Sequence, residues 1–295
     1  MSPEAEGTQA RPYGGMLSRA MVFLASLVVG RLVLEVAGVP ADITRFLSST
    51  AGLMLAAVYL AAVAPLRGGM RKFSQLLVPA LLLSAWTAGW IIVATLIAGV
   101  FRLERSHFAE TSDYGNWSHL GRHLGAHVVE IVFFFAIVLM LMALVHVLWR
   151  WPITVAPGAM LGVFVIMRYW TEAMGLEQWR AAAWSSTVLM LLSGFYLGGW
   201  GPRLGLTGAR QLLAPALALG WTWRAWVYIA TLMSALVPFY KTHFFDPSRG
   251  NIPLRLLQLL VASIVEGFIA GLILWGIAVW IGRATRQVAP QRGAP

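Results

Sequence analysis

The stretch RLVLEVAG at residues 31–38 returns as RYWTEAMG at residues 168–175. Arg, Glu and Gly keep the same spacing in both, at a shift of 137 residues. The agreement spreads outward from there. Ser48, Ser49, Thr50, Tyr59, Leu60 and Pro65 fall on Ser185, Ser186, Thr187, Tyr196, Leu197 and Pro202. One loop residue is then lost and the shift becomes 136, so that Arg67, Gly69, Gln75, Pro79, Trp90 and Thr95 fall on Arg203, Gly205, Gln211, Pro215, Trp226 and Thr231. Val129 and Glu130 continue the match onto Val265 and Glu266. Between Arg31 and Leu96, 23 of 65 aligned positions are identical. Apolar composition alone gives roughly a tenth, so the chain reads as an internal duplication.

Composition sets the class. Hydrophobic residues make up 59% and charged residues 12%, against about 25% charged in soluble domains. The 14 Trp suit a membrane–water interface. The absence of Cys excludes disulfides, thiolate metal sites and cysteine nucleophiles. The formal charge of +10 falls largely in short loops and the C-terminal tail. It reads as topology and contact with anionic membrane lipids, not as nucleic-acid binding. The first fifteen residues lack the apolar core of a cleavable signal peptide.

A span needs about 20 apolar residues. Eight stretches qualify, at 17–38, 46–65, 74–101, 122–149, 153–174, 182–200, 211–240 and 254–282. The expected fold is an all-α polytopic integral membrane protein of eight transmembrane helices in two four-helix repeats. An even number of spans per repeat makes the repeats parallel, related by an axis along the membrane normal. The expected organisation is a flexible cytoplasmic tail at 1–16, repeats at 17–150 and 151–283, and a basic cytoplasmic tail at 284–295. With both termini cytoplasmic, the inner segments carry eleven Lys and Arg and the outer segments eight, while the acids collect outside. The expected membrane is a bacterial inner membrane.

Charges within spans are costly and mark sites. Arg31 and Glu35 share a helical face at i, i+4, and Arg168 and Glu172 repeat the pair. Ser49 and Thr50, with Ser186 and Thr187, open the next helices at the same depth. Glu130 and Glu266 form another duplicated pair. Arg224 stands mid-span in the seventh helix, where the first repeat has Ala88. Two readings meet here. In one, the ion pairs lock helix packing. In the other, the two sets line an outward-facing site between the repeats and bind a solute, ion or lipid head group.

His119, His123, His127 and Glu130 form a stripe at spacings of four, four and three. Imidazole and carboxylate at such spacing can hold a transition metal, and imidazole can ligate haem. The second repeat has Arg255, Leu259, Ser263 and Glu266 there. The preceding outer segment, about 102–121, carries His107, Glu110 and Asp113 and is long enough for a short amphipathic helix over the bundle. The four-plus-four plan with an outer histidine helix resembles the architecture of haem A synthases. That family places histidines on two helices of each half, and the second, fifth, sixth and eighth spans here have none.

No nucleotide-binding loop, dinucleotide fingerprint, nucleophile elbow or His-Glu-x-x-His is present. An enzyme is therefore not the expected class. The expected function is a transporter or channel using Arg31, Glu35, Ser49, Thr50, Glu130, Arg168, Glu172, Ser186, Thr187, Arg224 and Glu266. The alternatives are a non-catalytic subunit or scaffold of a membrane complex, with partner subunits or a homo-oligomer, and a haem- or metal-dependent membrane enzyme or redox protein.

Overall fold

The computed structural model describes residues 12–67, 69–236, 242–246 and 250–288. The expected tail segments 1–11 and 289–295, and Lys241 and Arg249 of the outer loops, lie outside the described residues. Among the described residues the chain is all helical, with no strand. The helices are α1 (Pro12–Val36), α2 (Ala41–Thr44), α3 (Ser49–Val63), α4 (Leu77–Val100), α5 (Trp117–Leu148), α6 (Val155–Ala173), α7 (Gln178–Ala181), α8 (Ser186–Trp200), α9 (Ala209–Leu236) and α10 (Ile252–Val288). Residues 12–16, expected in the tail, belong to α1, whose first residue is the Pro that a helix start tolerates. Residues 284–288 likewise extend α10.

Among the described residues, seven segments are long and apolar enough to cross a membrane, and together they make this an integral membrane type of protein. They are Gly14–Val36, Ala41–Arg67, Phe73–Val100, Trp117–Leu148, Pro152–Ala173, Gln178–Leu204 and Ile252–Thr285. The remaining long helix, α9, has 28 residues and so the required length. Arg224 and its neighbours Trp221, Trp223 and Trp226 lower its hydropathy. The outward faces are apolar. Val22 and Val33 on α1, Val78 and Leu81 on α4, Val129 and Val132 on α5 and Ile264 on α10 are exposed. Water would not tolerate so continuous an apolar surface, and lipid does.

Two compact units divide the chain at Met1–His146 and Val147–Pro295, four residues before the boundary expected from the repeat. The same local devices recur in each. Helix α1 ends where Gly38 takes a φ of +87°, with Gly38 N–H donating to the Glu35 carbonyl and Val39 N–H to Leu34. Helix α6 ends at Gly175, φ +86°, with Gly175 N–H on Glu172 and Leu176 N–H on Thr171. A left-handed residue after a helix is the place where glycine escapes the Cβ penalty. Gln75 accepts the Lys72 N–H at 2.9 Å before α4, and Gln211 accepts the Gly208 N–H at 2.9 Å before α9. Ser48 caps α3 by accepting the Ala51 N–H at 3.2 Å. The cap is therefore Ser48, and Ser49 and Thr50 occupy the first turn behind it.

The segment 102–121 differs from its expectation. It holds only a short 3-10 turn at Thr111–Asp113 before α5 begins at Trp117. Asp113 is 1% exposed and bonds to histidines of α5, and Arg102 and Gly115 both take positive φ. These anchors fold the stretch into turns rather than a surface helix.

Packing in unit 1 buries Leu24 of α1, Leu53, Met54 and Leu60 of α3 and Leu83 of α4. In unit 2, helices α9 and α10 come close enough for backbone contact. A Cβ on Gly220 would collide with the Gly267 carbonyl and the Gly271 N, and a Cβ on Gly271 would lie 2.7 Å from the Leu217 Cα. Close approach through small residues gains van der Waals contact that lipid cannot replace. Gly220→Leu is expected to lower the thermal midpoint of detergent-purified protein strongly. Overpacking usually costs about 1–3 kcal/mol, and a backbone collision sits at the upper end. Gly125→Leu, at a position with open space around it, should leave the midpoint unchanged.

Candidate functional site

The site begins with a carboxylate that the helix has to bury. Glu35 is 2% exposed and Glu172 is 3% exposed. Each lies on the last turn of a long helix, one turn beyond an arginine. Arg31 Nε donates to Glu35 Oε1 at 2.9 Å, and Arg168 Nε donates to Glu172 Oε1 at 3.2 Å. The rest of the closure comes from the chain that follows the third long helix of each unit. His107 N–H donates to Glu35 Oε2 at 3.1 Å, and its Nδ1 lies 2.8 Å and 2.9 Å from the two carboxylate oxygens. His243 N–H donates to Glu172 Oε2 at 2.8 Å, with Nδ1 at 2.6 Å. The imidazole faces pack on the next residues, Phe108 and Phe244, with ring centroids 3.9 Å and 4.0 Å apart. The two carboxylates are thus closed in the same way, each within its own unit.

The structure brings Arg31 to Glu35 and Arg168 to Glu172, and adds to each pair a histidine that helical spacing does not reveal. The signal was in the loops. Ser106-His107-Phe108 and Thr242-His243-Phe244 stand at the same shift of 136 that relates the helices. A second addition is Thr44, whose Oγ1 donates to Glu35 Oε1 at 3.2 Å. Ala181 occupies the equivalent place, so Glu172 accepts one bond fewer. The small hydroxyls that were expected to join the site do other things. Ser186 accepts the Trp223 Nε1–H at 3.0 Å, Thr187 is exposed, and Ser49 and Thr50 are half-buried on the first turn of α3.

What is left free defines what the site can do. Arg31 and Arg168 spend Nε on the carboxylate, and their side chains are 17% and 24% exposed. His107 and His243 spend Nδ1 and the main-chain N–H, and their side chains are 40% and 32% exposed. When Nδ1 carries the donated proton, Nε2 is left with a lone pair. Each unit therefore presents a partly exposed imidazole fixed against a buried carboxylate and beside an arginine.

The other expected residues form two separate clusters. Asp113, buried, receives His119 Nδ1 at 2.6 Å and His123 Nδ1 at 2.8 Å. His127 Nδ1 lies 2.8 Å from Glu130 Oε2, and its Nε2 lies 3.3 Å from Thr95 Oγ1. The stripe is thus shared between two carboxylates. Among the described residues no three His, Asp or Glu side chains are grouped as a metal site. In unit 2, Arg224 Nη2 meets Glu266 Oε2 at 2.6 Å, and its guanidinium lies 5.3 Å from the Trp223 ring centroid. Its Nε is buried without a hydrogen-bond partner.

Comparison of the chain with models of protein families, with curated proteins and with solved structures gives no match.

Two groups outside the spans have shifted proton affinities of opposite consequence. Burial raises the Asp113 carboxyl, but the hydrogen bonds from His119, His123 and the Glu110 N–H outweigh it and hold the pKa at about 2. Its stabilisation is present above the ordinary value of 3.8 and is lost only as pH falls toward 2. The shift corresponds to about 2 kcal/mol. His107 is lowered from 6.5 by partial burial and by the Arg31 charge, against the opposing pull of Glu35. Its folded pKa lies below the unfolded one, so its contribution is present above 6.5 and is lost as pH falls from there through the lower folded value. Thermal midpoints measured from about pH 8 to pH 5 should separate the two. Asp113→Asn should lower the midpoint by the same amount throughout. His107→Gln should differ from the parent by an amount that shrinks on acidification, and a pH-independent difference would contradict the assignment.

Proposed function

We propose that the protein is a proton-linked membrane transporter of a small solute or ion, with Arg31–Glu35–His107 and Arg168–Glu172–His243 as its two exchange sites. In this reading α9 is an eighth span, the two four-helix units are parallel repeats, both termini are cytoplasmic, and the sites face the outer half of a bacterial inner membrane. The observation that carries the reading is the repeated closure itself. A buried carboxylate is held in each unit by an arginine from its own helix and by a histidine from a loop, and the histidine keeps an accessible face. A carboxylate within a span, closed by an imidazole from the loop at its mouth, supplies the groups that proton relays use.

The chemistry follows from the free valences. With the imidazole neutral, Nδ1–H serves the carboxylate and Nε2 is ready to accept. Protonation at Nε2 makes the trio net positive, since one carboxylate then faces an imidazolium and a guanidinium. That state favours an anionic or carboxylate-bearing solute beside the arginine Nη groups. Release of the proton removes the excess charge and weakens the hold. Proton and solute binding are thereby coupled, and the coupling is reciprocal. The wholly structural reading, a lock on helix packing, uses the same bonds but gives the exposed imidazole faces no task.

Proteoliposomes with a pH-sensitive dye inside test the proposal. Under an imposed membrane potential the parent should pass protons above the empty-vesicle rate. His107→Gln with His243→Gln should reduce that flux roughly tenfold or more, as loss of a positioned proton carrier does, measured at a temperature where the variant's thermal midpoint shows it still folded. A parent indistinguishable from empty vesicles, or variants that alter only the midpoint, would return the trios to a packing role.

A further inference from the structure

A trough runs between α1 and α3 in unit 1, at the end of the bundle where α1 begins and α3 stops. Its volume is about 270 Å³. Small side chains make it. Ala20 and Ala56 face it with Met16, all buried, and Phe23 and Tyr59 stand as exposed walls. The lining is apolar except for Arg19, an exposed residue of α1. Arg19 is eight residues into α1 and Tyr59 is four residues from the end of α3, so both lie near the same end.

Among the described residues, that end carries charge of one sign. Arg67, Arg71 and Lys72 follow α3 in the connection to α4, and all three are exposed. No ion pair involves them or Arg19 among the described residues. The described acids of unit 1 are Glu35, Asp42, Glu104, Glu110, Asp113 and Glu130; the first five lie at the far ends of α1 and α4 or in the segments just beyond them, and Glu130 lies within α5. An apolar trough opening beside unpaired cations matches one kind of molecule: an acyl chain carrying a negative head group. Basic pockets between membrane helices hold anionic lipid head groups in this way.

We propose that the α1–α3 trough is a binding site for an anionic phospholipid of the surrounding membrane, with one acyl chain along Ala20 and Ala56 and the phosphate on Arg19. The duplication supplies an internal contrast. At the equivalent positions unit 2 has Ala156 for Arg19, Pro157 for Ala20 and Ser193 for Ala56. The site belongs to the first unit alone and does not depend on the transport reading.

Native mass spectrometry of the full-length protein, delipidated and then titrated with phosphatidylglycerol or phosphatidylcholine, tests it. The parent should retain one phosphatidylglycerol in preference to phosphatidylcholine. Arg19→Gln should weaken that retention about fivefold, the effect of one surface cation on an anionic lipid, and Ala56→Phe should block it by filling the trough. Tyr59→Ala, which opens one wall, gives a second probe of the acyl-chain seat should Ala56→Phe fold poorly. Equal retention of the two lipids, or retention unchanged in Arg19→Gln, would overturn the proposal.

Discussion

A carboxylate withdrawn from water stays ionised only if its surroundings replace the hydration it has lost, and the penalty for failing is several kcal/mol. Glu35 and Glu172 impose that demand once in each unit, and the local architecture answers it. The arginine one turn earlier brings charge from the same helix, so the pair forms as soon as the helix does. The helix then has to stop. Gly38 and Gly175 take the left-handed turn that ends it directly after the carboxylate. The loop beyond the third long helix comes back over this end and delivers a main-chain N–H and an imidazole Nδ1 from one residue. Two donors from a single residue reach one carboxylate only if the loop crosses right over it. The buried charge thus fixes the loop as well as the helix.

The same arrangement is what supports the proposed transport reading over a pure lock. A lock is complete when every group is satisfied. Here the acceptor capacity of the glutamates is largely used, with four hydrogen bonds on Glu35 and three on Glu172. The arginine Nη groups and the imidazole Nε2 atoms remain to be used. In the proposed transport reading the glutamates are positioning residues, and the arginine and histidine surfaces are where a proton or solute would meet the protein.

Much of this was legible in the sequence, and the gaps have physical causes. Helix existence followed from long apolar runs, because backbone polar groups in lipid leave few alternatives. The ion pairs followed from i, i+4 spacing on a single helix. The histidines did not, because His107 and Glu35 are 72 residues apart and meet through loop geometry that no periodicity encodes. Their common shift with the helices was the available sign. The stripe at His119, His123 and His127 was read as one cluster because all three lie on a single face. Its division arose from Asp113, a residue outside the helix that reaches two of the three.

Glu130 and Glu266 make the final point about what the duplication preserves. They occupy equivalent places, yet their partners differ in kind and origin. Glu130 pairs with His127 from its own helix, and Glu266 with Arg224 from α9. Ser263 stands where His127 would be, and Ala88 where Arg224 would be. Each half has one basic partner and lacks the other. A carboxylate at this level therefore requires a neighbouring positive or protonatable group, and either helix of the pair can supply it. At Glu35 and Glu172 no such freedom is used, since arginine, histidine and glycine are all the same in both halves. Neutralising a charge explains the first pattern. The second requires in addition a particular shape around the carboxylate, and it is that shape which leaves the imidazole turned outward.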